Sequence, residues 1–286
     1  MQIDHPGIVA LPFSFGIGPL QITGFGLAVL LAFVISQIIA QRELTRRGYD
    51  PDPIPDLILA AILGTIVGGK LYYAVLTGDW GTLLSRAGLV FWGGFMGAVV
   101  FVAAVIRYKR LNVLRIGDVA GICIAAGYAI GRTGCWAVGD DYGRPWNSPF
   151  AVRFPEGAPP STAYNMATDF GVAIPPGTDP SAVLAVHPTQ LYETAMGLVM
   201  FLILWRNRSH RHAEGWLLGL YCVLAGIERF IIEFFRAKDD RFFGPFTTAQ
   251  MISLAILCVG VVLMIARRNV GPGRPGIYAD GVPARA

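Results

Sequence analysis

Seven apolar runs of about 20 residues, separated by short polar segments, constrain the fold of this 286-residue chain. An α-helix needs about 20 apolar residues to cross the hydrocarbon core of a bilayer. Charged residues make up only 15 % of the chain, whereas soluble domains contain about 25 %. The pattern predicts an all-α polytopic membrane protein. The seven predicted transmembrane helices are Ile22–Ala40, Pro55–Ala74, Leu89–Arg107, Ile116–Gly134, Pro188–Trp205, Gly215–Phe235 and Ala249–Ala266.

The basic residues predict the orientation of these helices. Fourteen Lys and Arg residues follow the first, third, fifth and seventh spans, whereas seven lie in the segments on the opposite side. By the positive-inside rule, the N-terminus is outside and the C-terminus is cytoplasmic. We expect no nucleic-acid partner, because the positive charge is spread over many loops and forms no single patch. We also expect no cleaved signal peptide, since the first twenty residues contain no Lys or Arg.

One polar segment between two spans is much longer than the others. Residues 140–186 are rich in Pro, Gly, Ser and Asp, and segments of this length are usually functional or disordered. We predict a transmembrane domain over residues 1–268, in which residues 140–186 form a small extracytoplasmic cap between the fourth and fifth helices. Val152–Phe154 suits a short strand in that cap. Residues 269–286 are rich in Gly and Pro and predict a disordered cytoplasmic tail.

The fourth span ends in the sequence Gly-Arg-Thr-Gly-Cys. Glycines on both sides of Arg132 allow a backbone or a ligand to approach closely. A guanidinium at this depth suits a phosphate, because its N–H groups match phosphate oxygens in geometry. Asp140, Gly143 and Arg144 follow within twelve residues. The alternative is that Arg132 only extends its side chain to the membrane interface.

The fifth span begins with His-Pro-Thr-Gln-Leu-Tyr-Glu. Pro188 suits the first turn of a helix, and His187 and Gln190 lie three residues apart on one face. Tyr192 adds a further polar group to the same turn. A histidine at the interface can accept a proton, donate to a phosphate or make only structural hydrogen bonds. The residues alone leave these three roles open.

The sixth span carries three charged residues on one helical face. Arg229, Glu233 and Arg236 have spacings of four and three residues, and they lie among Phe and Ile. Two cations with one carboxylate leave surplus positive charge, which a lipid phosphate would neutralise. A simple buried ion pair is the alternative.

A charged residue also interrupts the second span. The glycines around Lys70, and those after Trp92 in the third span, are typical of close helix packing. The charge of Lys70 among apolar neighbours is not explained by packing. We predict that five cations converge near one membrane face on the phosphate of a phospholipid: Lys70, Arg132, Arg144, Arg229 and Arg236. The cysteine spacing indicates no metal site.

The chain resembles the bacterial prolipoprotein diacylglyceryl transferase family, from its opening Ile-Asp-His-Pro through the seventh span. The resemblance rests on Gly131-Arg132-x-Gly134 with Gly143-Arg144, on the His-Pro-Thr-Gln-Leu-Tyr-Glu run, and on Arg-Phe-Ile-Ile-Glu-Phe-Phe-Arg. It implies a seven-helix enzyme of the bacterial inner membrane. Such an enzyme moves the diacylglyceryl group of phosphatidylglycerol to the lipobox cysteine thiol of a prolipoprotein and releases glycerol phosphate. The reaction is the first step of lipoprotein maturation, and no metal or cofactor is implied.

The resemblance also implies roles for individual residues. Arg132 and Arg229 match arginines that act on the phosphate. Asp140 stands where the family usually has Glu, and Asp140 and Glu233 would orient the arginines or the substrate. His187 is the proposed catalytic histidine that activates the thiol, and Asp140 or Asp141 is the alternative. The implied substrate-binding residues are Gly143, Arg144, Glu233, Arg236, Lys70, Gln190 and Tyr192.

Several positions depart from the family pattern. Trp92 replaces a histidine that the family usually uses to activate the thiol, and Cys135 replaces an asparagine. Phe25 and Ala225 stand where the family usually has tyrosine. These departures keep two alternatives open. One is a paralogous enzyme with another donor or acceptor, and the other is a phospholipid-binding protein without catalysis.

Overall fold

The computed structural model describes the chain at residues 3–7, 10–15, 20–84, 90–237, 241–243 and 246–279. This part of the chain contains eight α-helices, seven of which have at least 17 residues. The helices are α1 Gly24–Arg46, α2 Pro53–Thr77, α3 Phe91–Tyr108, α4 Val113–Val138, α5 Ala163–Thr168, α6 Thr189–Asn207, α7 Trp216–Ile232 and α8 Thr248–Ala266. The strands are β1 Ile3–Asp4, β2 Ala10–Phe15, β3 Leu20–Thr23, β4 Val152–Arg153, β5 Ala185–Val186, β6 Arg241–Phe243 and β7 Phe246–Thr247.

Five of these helices, α1 to α4 and α8, are long and apolar enough to cross a membrane. The chain is therefore a helical, polytopic membrane protein. The other two long helices, α6 and α7, lie at the remaining two predicted spans. With only 17 residues, α7 is shorter than the roughly 20 apolar residues of a typical membrane span. α6 has 19 residues, but the charged residues Glu193 and Arg206 interrupt its apolar sequence.

Local sequence explains where α4, the helix at the centre of the fold, begins and ends. The side chain of Asn112 accepts hydrogen bonds from the backbone N–H groups of Leu114 and Arg115. These two groups have no partner within the helix, so the asparagine cap stabilises its first turn. At the other end Gly139 adopts a left-handed conformation with φ of +67°, which glycine adopts without steric cost.

Helices α2 and α3 form a hairpin whose contact surface is made of glycines. A Cβ atom added to Gly68 would overlap the carbonyl oxygen of Gly93, and one added to Gly97 would overlap that of Gly64. The two backbones therefore approach more closely than any side chain would allow. The interpretation of these glycines as a packing surface is confirmed.

Helix α4 contacts α1, α6 and α7 and so forms the centre of the helical bundle. Its buried Ile122 and Ala125 pack with Met200 and Leu204 of α6 and with Leu217 of α7. Helix α8 packs along α7. Because α4 is shared by these contacts, it fixes the relative positions of the charged faces of α6 and α7.

The segment between α4 and α6 has a small core of its own. Strand β4 pairs with β1 in parallel and with β5 in antiparallel, so it lies at the centre of a three-stranded sheet. Phe154 and Met166 are completely buried, and the Tyr142 ring stacks on Phe154 at 5.1 Å between centroids. The short strand predicted at Val152–Phe154 is present as Val152–Arg153.

At the opposite end of the bundle, the C-terminal segment packs against α1. Arg46 Nη1 donates a 2.9 Å hydrogen bond to the Tyr278 hydroxyl, and the backbone N–H of Ala279 donates to the carbonyl oxygen of Arg47 at 2.9 Å. Ile277 is 1 % exposed. Residues 276–279 are thus held by burial and hydrogen bonds, whereas residues 269–275 are exposed. The disordered cytoplasmic tail over residues 269–286 stays a prediction. Residues 280–286 lie outside the described residues.

Candidate active site

The centre of the candidate site is an ion-pair network that joins α4 to the segment after α7. Arg132 Nη1 lies 2.8 Å from Asp141 Oδ2, and Arg236 Nη2 lies 2.8 Å from Asp141 Oδ1. Arg236 Nη1 also donates a 3.2 Å hydrogen bond to Asp141 Oδ2. The structure therefore brings two of the predicted arginines together around one carboxylate.

Backbone conformation decides which of two neighbouring aspartates bridges the arginines. Asp141 has a positive φ of +58°, two residues after the left-handed Gly139. Asp tolerates this conformation better than most residues. The turn directs Asp141 to the arginines, whereas Asp140 Oδ1 is buried without a hydrogen-bond partner in the described part of the chain. Asp141 therefore makes the ion pairs with the arginines. The role of Asp140 stays a prediction.

The charged face of α7 continues the same network. Glu233 is 3 % exposed, and its Oε2 atom lies 2.7 Å from Arg229 Nη2 and 3.8 Å from Arg236 Nε. Arg229 is therefore joined to Arg132 through Glu233, Arg236 and Asp141. The predicted pairing of Glu233 with the arginines of its own face is present.

Three polar residues that sequence analysis left out of the site complete the network. Glu193 of α6 pairs with the Arg132 guanidinium, and it is 2 % exposed. The Tyr128 hydroxyl lies 3.1 Å from Glu193 Oε1 and 2.9 Å from Glu228 Oε1. Tyr128 and Arg132 share one helix face at a spacing of four, and carboxylates inside apolar spans are functional candidates by default. Those two signals were present in the sequence.

The sequence Gly143-Arg144 forms a close crossing with the end of α7. The Arg144 backbone N–H donates to the carbonyl oxygen of Phe235 at 2.8 Å, and Arg144 Nε donates to that of Arg236 at 2.7 Å. A Cβ atom on Gly143 would overlap the Phe235 carbonyl oxygen. Gly143 is needed because the two backbones touch, and this contact places Arg144 beside Arg236.

His187 lies on the other side of this crossing, directly before α6. Its ring stacks on Trp146 at 4.2 Å between centroids and contacts Phe235 at 5.2 Å. His187 Nδ1 lies 3.3 Å from the Tyr192 hydroxyl. The backbone N–H of Gly143 donates to the carbonyl oxygen of His187 at 2.9 Å, so the histidine is tied to the arginine loop.

Gln190, for which substrate binding stays a prediction, holds the loop through its side-chain N–H group. Its Nε2 donates a 2.6 Å hydrogen bond to the backbone oxygen of Asp140. Thr189 Oγ1 donates to the backbone oxygen of Asp141 at 2.8 Å. Both side chains are completely buried. The first turn of α6 therefore fixes the two aspartates in place.

The pKa values of Asp140 and Asp141, in the loop after α4, and of His187 differ from their ordinary values. Burial alone would raise the pKa of Asp141, but Arg236 and Arg132 outweigh it and hold that pKa below its ordinary value. Burial raises the pKa of Asp140, and its contact with the Cys135 side chain only partly offsets this. Burial lowers the pKa of the His187 ring, which is therefore neutral at pH 7. The loop thus contains an ionised carboxylate, a second carboxyl that holds its proton more strongly, and a neutral imidazole.

Two residues of interest lie on the α2–α3 hairpin. Lys70 Nζ lies 3.5 Å from the carbonyl oxygen of Thr82, and α2 packs mainly on α3. The convergence of Lys70 with the four arginines stays a prediction. Trp92, at the start of α3, is 49 % exposed and contacts Phe91 and Phe95.

The arrangement suits an anion more than a metal. Within the residues that the structure describes, no group of three or more His, Cys, Asp or Glu could hold a metal ion. The arginine side chains retain access from outside, since those of Arg229 and Arg236 are 34 % and 21 % exposed. Cationic donors that are partly buried and held by carboxylates can bind a phosphate and stabilise charge that develops on it.

Comparisons with known proteins identify the family of the chain. The family model for prolipoprotein diacylglyceryl transferase matches residues 12–266. A phosphatidylglycerol–prolipoprotein diacylglyceryl transferase of Xanthomonas euvesicatoria pv. vesicatoria is 30 % identical over 290 residues, which cover 96 % of this chain and 97 % of the relative. A protein of the same name from Geobacter sulfurreducens is 29 % identical over 289 residues, 95 % of this chain and 100 % of the relative.

These matches extend over nearly the whole length of the chain and include every helix that contributes to the arginine network. The resemblance seen in the motifs is confirmed. The chain belongs to the prolipoprotein diacylglyceryl transferase family.

Proposed function

We propose that this protein transfers the diacylglyceryl group of phosphatidylglycerol to the lipobox cysteine thiol of a prolipoprotein. The relatives carry the name of this activity. The observation that carries the proposal is the joining of Arg132, Arg229 and Arg236 in one network, with Arg144 beside it. Four guanidinium groups at one end of the bundle suit the phosphate of an anionic lipid.

The reaction makes one bond and breaks one. The cysteine sulfur attacks the glycerol carbon that carries the phosphate, so an S–C bond forms while the C–O bond breaks. Glycerol phosphate leaves with the electron pair of that bond, and its phosphate gains negative charge. Arg132 and Arg229 stabilise this charge, and Arg144 and Arg236 assist them.

The thiol must lose its proton to become a nucleophile. His187 is the proposed acceptor, because its ring is neutral and lies beside the arginine loop. Tyr192 and Trp146 hold the ring by a polar contact and by stacking. Asp140 lies in the same loop and is the alternative acceptor, because burial raises its pKa and makes it a stronger base than an exposed carboxylate.

The proposed function also needs a particular membrane arrangement. We infer that all seven long helices cross the bacterial inner membrane, including α6 and α7, which extend about 28 and 26 Å at 1.5 Å per residue. The N-terminus and the cap at residues 140–186 are outside, and the tail is cytoplasmic. The transmembrane domain covers residues 1–268. This orientation places the arginines in the outer leaflet, where phosphatidylglycerol, the prolipoprotein signal peptide and other membrane lipids reach them.

A transfer assay tests the proposal. The purified full-length protein is mixed with vesicles of labelled phosphatidylglycerol and a peptide that contains a lipobox cysteine, and lipid-modified peptide is expected. Arg132→Ala lowers the rate by about a hundredfold or more, the size of effect seen when one charge-stabilising donor is removed. Arg153→Ala is the matched control, because that arginine pairs with Asp4 on the cap surface.

The outcome of this assay separates the alternatives. Absence of modified peptide under conditions where a standard family member works would contradict the proposal. A modified lipid without lipidated peptide, detected by mass spectrometry, would instead indicate an enzyme with another acceptor. Lipid binding without any reaction would indicate a phospholipid-binding protein.

A further inference from the structure

Deep in the bundle, one tyrosine hydroxyl lies between two carboxyl groups. Tyr128 Oη is 2.9 Å from Glu228 Oε1 and 3.1 Å from Glu193 Oε1. Glu228 is 5 % exposed and Glu193 is 2 % exposed. The three residues come from α7, α4 and α6, so the contact joins the three helices that build the site.

The number of protons available to these two hydrogen bonds requires one of the two carboxyl groups to be protonated. A tyrosine hydroxyl has one proton to donate, and an ionised carboxylate can only accept. Both contacts are therefore hydrogen bonds at the same time only if one carboxyl carries a proton and donates it to Tyr128. An unpaired acceptor–acceptor contact between buried groups would be costly, because the low-dielectric interior strengthens the repulsion and offers no compensating hydrogen bond.

The ion pairs favour one of the two carboxyl groups as the holder of the proton. Glu193 contacts the Arg132 guanidinium, which stabilises its ionised form. Glu228 takes part in none of the ion pairs found among the described residues. The charged and titratable groups that act on Glu228 from the surrounding elements are Tyr128, Arg132, Tyr221, Arg229 and Arg236. The proton therefore belongs to Glu228, which donates to Tyr128, while Tyr128 donates to Glu193.

The charge of the whole site gives an independent reason. The network and its loop contain four arginines and five carboxyl groups, the latter being Asp140, Asp141, Glu193, Glu228 and Glu233. If every carboxyl were ionised, the site would carry a net negative charge and repel an anionic lipid. A proton on Glu228 removes this excess negative charge, so that four guanidinium groups balance four carboxylates before the lipid binds.

We propose that Glu228, Tyr128 and Glu193 form a proton relay that controls how strongly Arg132 acts on the phosphate. The inference rests on the proposed function and adds three positioning residues to it. In the resting state the relay holds its proton on Glu228 and keeps Arg132 paired with ionised Glu193.

During transfer the proton moves along the relay without leaving it. Glu228 gives its proton to Tyr128 Oη while the tyrosine proton passes to Glu193 Oε1. Glu228 becomes ionised and Glu193 becomes neutral, so the total charge is unchanged. Arg132 then lacks its ionised partner, and its charge is available to the phosphate as the C–O bond breaks and the leaving group becomes a dianion.

Infrared spectroscopy of the full-length protein in phosphatidylglycerol vesicles tests the resting state. A protonated carboxylic acid has a C=O band separate from that of carboxylates. We expect such a band at neutral pH, and we expect Glu228→Gln to remove it. Tyr128→Phe shifts the band but keeps it, since the acid loses its acceptor. Asp140→Asn identifies any second band that belongs to Asp140. A spectrum in which Glu228→Gln removes no acid band would overturn the proposal.

Kinetics test the movement of the proton. Glu228→Gln keeps a donor to Tyr128 but has no acid proton to pass on, so kcat falls about tenfold. The KM for phosphatidylglycerol stays the same, because the resting pairing of Arg132 is kept. Tyr128→Phe lowers kcat by a similar factor, and the double variant is no slower than either single one, as expected for residues that act as a unit.

The matched control is Tyr221→Phe, which removes a hydroxyl from α7 outside the relay and changes kcat by less than about twofold. Additive effects of Glu228→Gln and Tyr128→Phe on kcat, or a change in KM alone, would refute the relay.

The proposed relay and the proposed lipid transfer can fail separately. If the wild-type protein transfers no lipid but shows the Glu228 band, the proposed reaction is wrong while the resting proton is supported.

Discussion

At the scale of single residues, Asp141 has the most unusual position in the site. Its carboxylate binds two of the arginines that the proposed function assigns to the phosphate. A substrate phosphate must therefore compete with Asp141 or share the arginines with it. Asp141 keeps the arginines ordered before the substrate arrives, and it lowers the affinity for phosphatidylglycerol by competing for them.

Asp141→Asn tests this double role. A partly exposed ion pair contributes about 1 kcal/mol, so release of the arginines lowers the KM for phosphatidylglycerol about fivefold. The value of kcat falls, because the freed guanidinium groups are less well positioned. Steady-state kinetics over a range of phosphatidylglycerol concentrations measure both. A higher KM would show that Asp141 assists lipid binding and does not compete with it.

Asp141 also predicts a dependence of stability on pH. Its pKa is lower in the folded protein than in the unfolded chain, so its ion pairs stabilise the fold above the ordinary carboxyl pKa. This contribution is lost as the pH falls through the folded pKa. Thermal unfolding in detergent at several acidic pH values should show a weaker acid dependence for Asp141→Asn than for the wild type. Equal acid dependence in both proteins would contradict the assignment.

His187 predicts how the activity falls at acidic pH, which is the acid limb of the pH–activity profile. The neutral ring accepts the thiol proton, so activity falls when the ring becomes protonated. Burial lowers the His187 pKa from its ordinary 6.5, and the acid limb is therefore centred below that value. His187→Ala removes this limb and lowers kcat about a hundredfold. A limb centred above 6.5 in the pH dependence of kcat/KM would rule out His187 as the base.

At the scale of elements, the α2–α3 hairpin depends on the absence of side chains. A methyl group on Gly97 would meet the backbone of α2, which cannot move aside locally. We expect Gly97→Ala to separate the two helices and to destabilise the protein by about 2 kcal/mol, the usual cost of overpacking. The unfolding temperature in detergent measures this effect.

Gly131 offers a matched control on α4. A Cβ atom there meets nothing within 4 Å. Gly131→Ala is therefore neutral, or it stabilises the helix by up to about 1 kcal/mol through better helix propensity. If Gly97→Ala and Gly131→Ala have the same effect on unfolding temperature, close packing does not explain the hairpin glycines.

At the scale of the whole molecule, the basic residues and the ion-pair clusters make one prediction about orientation. The arginine network with the cap lies at one end of the bundle, and the tail with Arg46 and Arg47 lies at the other. Ala173 in the cap and Asn269 in the tail are both exposed. Cysteines introduced at these two positions report which end faces the cytoplasm.

A membrane-impermeant maleimide distinguishes the two ends. We expect Ala173→Cys to react in intact spheroplasts and Asn269→Cys to react only after the membrane is opened. Cys258 is exposed on α8 and Cys222 is partly exposed, whereas Cys123 and Cys135 are buried, so labelling of the unchanged protein gives the background. Reaction of Asn269→Cys in intact spheroplasts would reverse the proposed topology.

Sequence alone determined the elements and the family. Apolar runs of membrane-spanning length require helices, because every backbone N–H and C=O must be bonded within the bilayer. Spacings of three and four residues also placed Arg229, Glu233 and Arg236 on one face, since that relation depends only on helix geometry. Both conclusions concern neighbours along the chain, and local sequence is sufficient for them.

Only the tertiary structure decided which faces of different helices meet. It selected Asp141 over Asp140 through a left-handed turn, and it placed Lys70 on a hairpin that packs mainly on itself. It also joined Tyr128, Glu193 and Glu228 across three helices. Such contacts depend on how side chains of distant segments pack, and the spacing of residues within one helix contains no information about its partners.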